Sequence, residues 1–183
     1  MKLKFSEESM IIIEYARDEA MRTGSYAIGI DHLVLGILRH GENSAVKCLQ
    51  INGIQPSVLK ERLDDALFAE NPVPYSMAGS VKPSRGFQSA LSISAFEALK
   101  TGTEEIGAIH LLLAVSRTEG NVSVAFLREY GMDYNLILSS SLGGKTISDN
   151  AEIKCDLNNP AAVLSEQLTR IFGSVNSKEN YYN

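Results

Sequence analysis

His32 and His110 stand in matching surroundings, Gly29-Ile30-Asp31-His32-Leu33-Val34-Leu35 and, 78 residues further on, Gly107-Ala108-Ile109-His110-Leu111-Leu112-Leu113. With Cys48 and Cys155 these histidines raise the possibility of a metal site, yet no spacing puts two ligands on one helix face. The simpler chemistry for a histidine at a helix start is a hydrogen bond to the neighbouring turn, and no metal is expected. Serines are abundant, but no Gly-x-Ser-x-Gly elbow occurs and no histidine–acid pair accompanies a nucleophile. No catalytic residue is expected, and the chain reads as a non-enzyme. Gly143-Gly144-Lys145-Thr146 has the ending of a phosphate loop, but Ser139 stands where the loop's first glycine belongs. A helix before it and polar coil after it are the wrong setting for amides that converge on phosphate. A nucleotide- or small-ligand-binding protein using Gly144, Lys145 and Thr146 is therefore the remote alternative, and no cofactor is expected.

The elements that must position these residues follow from the repetition. Thr23-Gly24, Glu19-Ala20, Arg39, Asn43, Val46, Leu49 and Gly53 recur, 78 residues later, as Thr101-Gly102, Glu97-Ala98, Arg117, Asn121, Val124, Leu127 and Gly131. Such a gapless offset predicts two copies of one supersecondary unit stacked about a pseudo-two-fold axis. In the first copy Ser6 suits an N-cap, with Glu7 and Glu8 complementing the helix dipole. Met10, Ile13, Ala16 and Ala20 follow at helical spacing, and Gly24 stops the helix. Asp31 can cap a short helix through Leu38 that is apolar nearly all round and hence central. Asn43 caps a third helix that Gly53 closes, and Pro56 opens a fourth with its stripe of Leu59, Leu63 and Leu67. The second copy predicts helices over 84–100, 109–116, 121–130 and 134–142. The expected fold is all-α: two tandem four-helix repeats, 4–70 and 82–142, joined by a turn-rich connector, 71–81. Beyond this double domain of 1–142, residues 143–159 read as a linker. Val163, Leu164, Leu168, Ile171 and Phe172 predict an amphipathic helix over 160–172, and the end of the chain reads as frayed. That last helix either packs on its own domain or docks into a partner.

Bulk properties narrow the function further. The chain has 183 residues, 44% of them hydrophobic, and a net charge of −5 without a basic run. That excludes a general nucleic-acid binder and a surface that tracks anionic lipid. No stretch is long enough to span a bilayer, and the N-terminus meets Glu7 and Glu8 before any long apolar run, so a secretory signal is not expected. Two cysteines without a CxxC spacing suit a reducing compartment, and the expected location is the cytoplasm.

A doubled four-helix unit with Gly-x-x-His-Leu-x-Leu at its second helix resembles the Clp N-terminal (repeat) domain family. Phe5-Ser6-Glu7, Glu19-Ala20, Gly24, Ile28-Gly29, Asp31-His32-Leu33, Leu35-Gly36, Arg39, Gly41-Glu42 and Ala45 through Leu49 carry the resemblance, which covers about residues 4 to 142. It implies a double Clp N motif, a non-catalytic interaction module of the Clp chaperone and protease system. Its implied partners are Clp ATPase or protease subunits, adaptor proteins or protein substrates, and its implied role is to modulate regulated proteolysis. The turn-rich tail suggests a stand-alone protein without ATPase modules; the alternative is the front of a full Clp ATPase unfoldase. In relatives that read phosphorylated arginine, an acid at the place of Asp31 pairs with the guanidinium, and hydroxyls and amides at a helix N-terminus hold the phosphate. By resemblance, Asp31 with Ser6 offers one such site, while Ser84 in the second repeat has Ile109 in place of the acid. Ile109 cannot accept a guanidinium hydrogen bond, so at most one phosphoarginine site is expected. Finally, Val73, Pro74, Tyr75 and Met77 in the connector either line a peptide groove between the repeats or seal the core beneath it.

Overall fold

The computed structural model describes residues 3–142 and 160–173. Each repeat opens with a two-residue strand and a long helix. These are β1 (Lys4–Phe5) and α1 (Glu7–Arg22) in the first, β3 (Lys82–Pro83) and α5 (Arg85–Lys100) in the second. A second short strand and three helices complete each copy. They are β2 (Ala27–Ile28), α2 (Ile30–His40), α3 (Ser44–Ile51) and α4 (Pro56–Leu67), matched by β4 (Glu105–Ile106), α6 (Ala108–Ser116), α7 (Val122–Glu129) and α8 (Tyr134–Ser141). Every element of the second copy starts 78 residues after its counterpart. A final helix, α9 (Pro160–Phe172), packs on the same domain against α1, α5 and β1.

The fold is all-α in substance, but four short strands that lack any alternating pattern in the sequence tie the halves together. β1 pairs in parallel with β4, and β2 with β3, so each repeat lends its leading strand to the other. The exchange is symmetric down to the individual bonds. Ser6 N–H donates to the Ile106 carbonyl at 3.1 Å, and Ser84 N–H donates to that of Ile28 at 2.9 Å. Two residues suffice for such a strand because the pairing only has to anchor two chain entries; the helices bury the rest.

The helix ends follow local chemistry, with one correction. Ser6 and Ser84 cap α1 and α5, their hydroxyls accepting from Ser9 N–H and Phe87 N–H at 3.1 Å. Asn43 caps α3 through Val46 N–H at 2.9 Å and donates its amide to the Ile37 carbonyl. Asp31, expected to cap its own helix, lies instead inside the first turn of α2, and Gly29 is the N-cap. The reason is the histidine three residues on: His32 Nδ1 accepts the Gly29 N–H at 2.9 Å, which closes the helix start without an acid.

Both repeats share one core. α2 and α6 are apolar round most of their girth, and Leu33, Val34, Leu35 and Ile37 are buried like their equivalents Leu111, Leu112, Leu113 and Val115. In the connector, Val73 is buried and its N–H donates to the Met21 carbonyl at 2.8 Å, so this residue seals the first repeat. Tyr75 and Met77, on a 3-10 turn over Tyr75–Ser80, are 85% and 43% exposed. The linker 143–159, the Gly143–Thr146 segment, Cys155 and the frayed end fall outside the described residues. Cys48 is a buried free thiol, which burial pushes upward in pKa.

Candidate functional site

The seam between the repeats runs past three of the residues that the sequence singles out, Ser6, Asp31 and Ser84. Because β2 pairs with β3, the capped start of α5 at Ser84 lies beside the strand that leads to Asp31. Ser6, through β1 and β4, lies instead beside the start of α6, next to Ile109. The exchange therefore sets chain entries from opposite repeats side by side: the strand before Asp31 with the cap at Ser84, and the cap at Ser6 with the strand before Ile109. Reading each repeat as a self-contained unit misses this crossing, since strand exchange cannot be seen in the offset alone.

Asp31 is not idle at this seam. Its Oδ1 accepts from Ser123 N–H at 2.8 Å and from Ser123 Oγ at 2.6 Å. Ser123 is in the first turn of α7, and the residue that ought to cap that helix, Asn121, has turned away. Its amide donates to Thr118 Oγ1 at 2.9 Å and to the Glu119 carbonyl at 3.1 Å. Asp31 thus supplies from the first repeat the cap that the second repeat lacks, and a carboxylate suits that helix end. The opposite corner is also closed by acceptors of the first repeat. Ser44 Oγ accepts the Ile109 N–H at 3.1 Å, and Glu8 Oε2 accepts the Ala108 N–H at 3.3 Å. Glu8, Ser44 and Ser123 escape a motif search. The available signal is that they sit where the two copies disagree, opposite Gly86, Val122 and Ala45 respectively.

The histidines serve the same turns. His32 Nε2 lies 3.1 Å from Thr23 Oγ1, whose hydroxyl faces the Glu19 carbonyl, and His110 repeats the arrangement with Thr101 at 2.9 Å. Nδ1 of His110 accepts the Gly107 N–H at 2.9 Å. Each ring thus needs Nδ1 unprotonated and bridges a helix C-terminus to a helix N-terminus. Burial lowers both pKa values; around His32 this outweighs the nearby Asp31 and Glu19, which pull upward, while Arg22 adds to the lowering. Around His110 the opposing pull is that of Glu97.

The unfolded chain takes up these two protons near pH 6.5, and the folded chain resists them to lower pH. Their stabilising effect is therefore whole above pH 6.5 and is lost as pH falls below it. The slope approaches about 1.4 kcal/mol per pH unit for each ring. Urea melts at pH 7.5 and 5.5 are expected to show the loss, and His32→Gln with His110→Gln should flatten it. An unchanged slope in that double variant would exclude the histidines as its source.

Two buried carboxylates complete the frame. Glu19 receives Arg22 Nε and Nη2 at 2.8 and 2.6 Å, with Arg39 at 3.4 Å. Arg22 also reaches Asp64 on α4. Glu97, fully buried, receives Arg117 Nη1 at 2.6 Å and Tyr134 Oη at 2.8 Å, with Lys100 at 3.6 Å. Across the seam, Arg62 of α4 pairs with Glu129 of α7 at 2.6 Å and stacks 3.9 Å above the Phe126 ring. Among the described residues, no three His, Cys, Asp or Glu side chains come together as metal ligands, and no helix is long and apolar enough to cross a membrane.

The class that this defines is a helical double-repeat domain whose halves are locked by exchanged strands and by caps that the first repeat supplies to the second. The chain belongs to the Clp repeat (R) N-terminal domain family, whose model matches residues 4–130. It is 28% identical over 132 residues to the chaperone protein ClpB of Oceanobacillus iheyensis. Over the same length it is 26% identical to the negative regulator of genetic competence ClpC/MecB of Bacillus subtilis. Each alignment takes in 72% of this chain and 16% of the relative, so the chain spans only a small part of these curated relatives. Among solved structures it resembles the N-terminal domain of Hsp104 from Candida albicans, with a TM-score of 0.62, 14% identity, and 79% and 95% of the two chains covered. The N-terminal domain of ClpD from Arabidopsis thaliana gives a TM-score of 0.59, 15% identity, and coverage of 76% and 92%. Both likenesses concern the fold.

Proposed function

We propose that the chain is a non-catalytic docking module of the Clp system, working in the cytoplasm, where it binds protein substrates, adaptors or Clp subunits and so modulates regulated proteolysis. The observation that carries this reading is the locking of the two repeats to each other. Exchanged strands and cross-repeat caps make a body that presents two related corners at fixed spacing, as a docking surface requires. A pull-down from the source cell's lysate with the full chain tests it. Recovery of a Clp ATPase or peptidase subunit supports the adaptor role, recovery of assorted unfolded clients supports a substrate receptor, and recovery of neither removes the proposal.

The position for a modified arginine lies at the corner of Asp31 and Ser84. A guanidinium arriving there shares the carboxylate with Ser123, so binding of phosphoarginine is expected to be weak and confined to this corner. Calorimetry with free phosphoarginine on the unaltered chain and on Asp31→Ala decides the matter. The substitution should abolish the titration, and loss of the α7 cap should cost about 1 kcal/mol of stability. Equal titration of both proteins would take Asp31 out of any ligand role.

A further inference from the structure

We propose that the face between α1 and α5 is a docking site for an amphipathic helix ending in an aromatic residue and a carboxylate, and that α9 is its displaceable internal cover. The proposal deepens the docking reading above and rests on it; its own support is the way α9 is held. Among the α9 side chains described, Ile171 and Phe172 are buried and Gln167 and Leu168 half-buried, while Glu166, Thr169 and Arg170 face outward. The Phe172 ring meets Phe87 edge-on, with centroids 6.1 Å apart and planes at 83°. Phe5 N–H on β1 donates to Gln167 Oε1 at 3.0 Å, and Arg17 Nη1 donates to the Ile171 carbonyl at 3.0 Å. At both polar contacts the domain supplies the donor and α9 the acceptor.

One donor is left over: among the described residues, Arg17 Nε is buried without a hydrogen-bond partner. A neutral carbonyl thus holds one nitrogen of a guanidinium whose inner edge is unmatched, and a buried unmatched donor is unfavourable. A carboxylate fits this cation better, charge against charge. In a helix that ends at residue 172, the terminal carboxylate comes one residue after the carbonyl that Arg17 already holds. Helix α9 lies beyond residues 4–130, the stretch that the family model matches, and outside both repeats. The face it covers is built by the repeats, whereas the cover has no counterpart in them.

The test uses the full chain with Ile171→Ser and Phe172→Ser, which frees the face without adding a carboxylate beside Arg17, and a fluorescein-labelled peptide of residues 160–172 made as free acid and as amide. Anisotropy titrations are expected to show the acid peptide binding the freed chain at least 10-fold tighter than the unaltered chain. The acid should bind at least 5-fold tighter than the amide, and Arg17→Met in the freed chain should erase that difference. Equal binding to freed and unaltered chains, no saturable binding to the freed chain, or an acid–amide ratio of one would each overturn the proposal. Persistence of the ratio in the Arg17→Met chain would do the same. Native-state hydrogen exchange on the unaltered chain adds a measurement free of any folding defect in a variant. The amides of α9 should exchange at least 100-fold faster than those of α1, and equal protection would make α9 part of the core. A chain that captures a Clp subunit yet fails these titrations loses the cover and keeps the docking function.

Discussion

Gly36→Ala is expected to destabilise the protein by about 3 kcal/mol, lowering its Tm by roughly 6–12 °C. Gly36 is where α2 crosses α1, and a methyl group there would sit 2.6 Å from the Ile12 carbonyl oxygen, 2.9 Å from Ala16 N and 3.3 Å from Ala16 Cα. All three are backbone atoms, so no side chain can rotate to make room. The helices must separate, and that strips contact from Ile12, Ile13 and Leu33, each fully buried. Alanine is the better helix former by about 1 kcal/mol, which offsets only part of the overpacking cost. The second repeat supplies the comparison: Ala114 occupies the equivalent position with its methyl fully buried, so α5 and α6 leave room there that α1 and α2 do not. Ala114→Gly should cost no more than about 1.5 kcal/mol, from helix propensity and one lost methyl. Chemical denaturation of both variants measures the contrast. A loss below 1 kcal/mol in Gly36→Ala would mean that the two helices slide past the clash.

The fold was legible because its signal is redundant. Leu33 and Leu111, or Leu49 and Leu127, recur at one offset and each copy vouches for the other. The strands were not legible, since Lys4–Phe5 and its three counterparts are too short to show a period of two. What they do depends on a partner about 100 residues away in one pair and 55 in the other, and no local pattern encodes that pairing. The candidate site was legible as residues and illegible as contacts. Asp31, Ser6 and Ser84 could be named from their types, but strand exchange decides which chain entries lie side by side. A subtler signal lay in the mismatches between the copies. Asp31 aligns with Ile109 at the repeat offset, and Ala45 with Ser123; the structure shows Asp31 bonded to Ser123, so the two departures form one contact. Ser44 and Ile109 form another. Internal repeats thus mark their seam by paired departures from symmetry, because the residues there answer to the other copy.

Arg117→Met is expected to cost about 3 kcal/mol, more than the same change at Arg39 in the equivalent position. The difference lies in what remains around each buried carboxylate. Glu19 keeps the two short bonds from Arg22 when Arg39 goes, because Arg39 contributes only a 3.4 Å contact. Glu97 loses its 2.6 Å bond to Arg117 and is left with the Tyr134 hydroxyl and a Lys100 ammonium 3.6 Å away. Removing one partner of such a pair strands the other's charge away from water, and that penalty exceeds the net worth of the pair itself. The two partners are unequal here, since Glu97 is fully buried whereas the Arg117 side chain is 45% exposed. Glu97→Leu should therefore be the milder single change, as the released guanidinium can turn to solvent. In the double variant, Arg117→Met with Glu97→Leu, no charge is stranded, and most of the lost stability should return. Urea denaturation of the two single variants and the double variant gives the coupling energy directly. Additive losses would show that Glu97 does not depend on Arg117 for its place in the core.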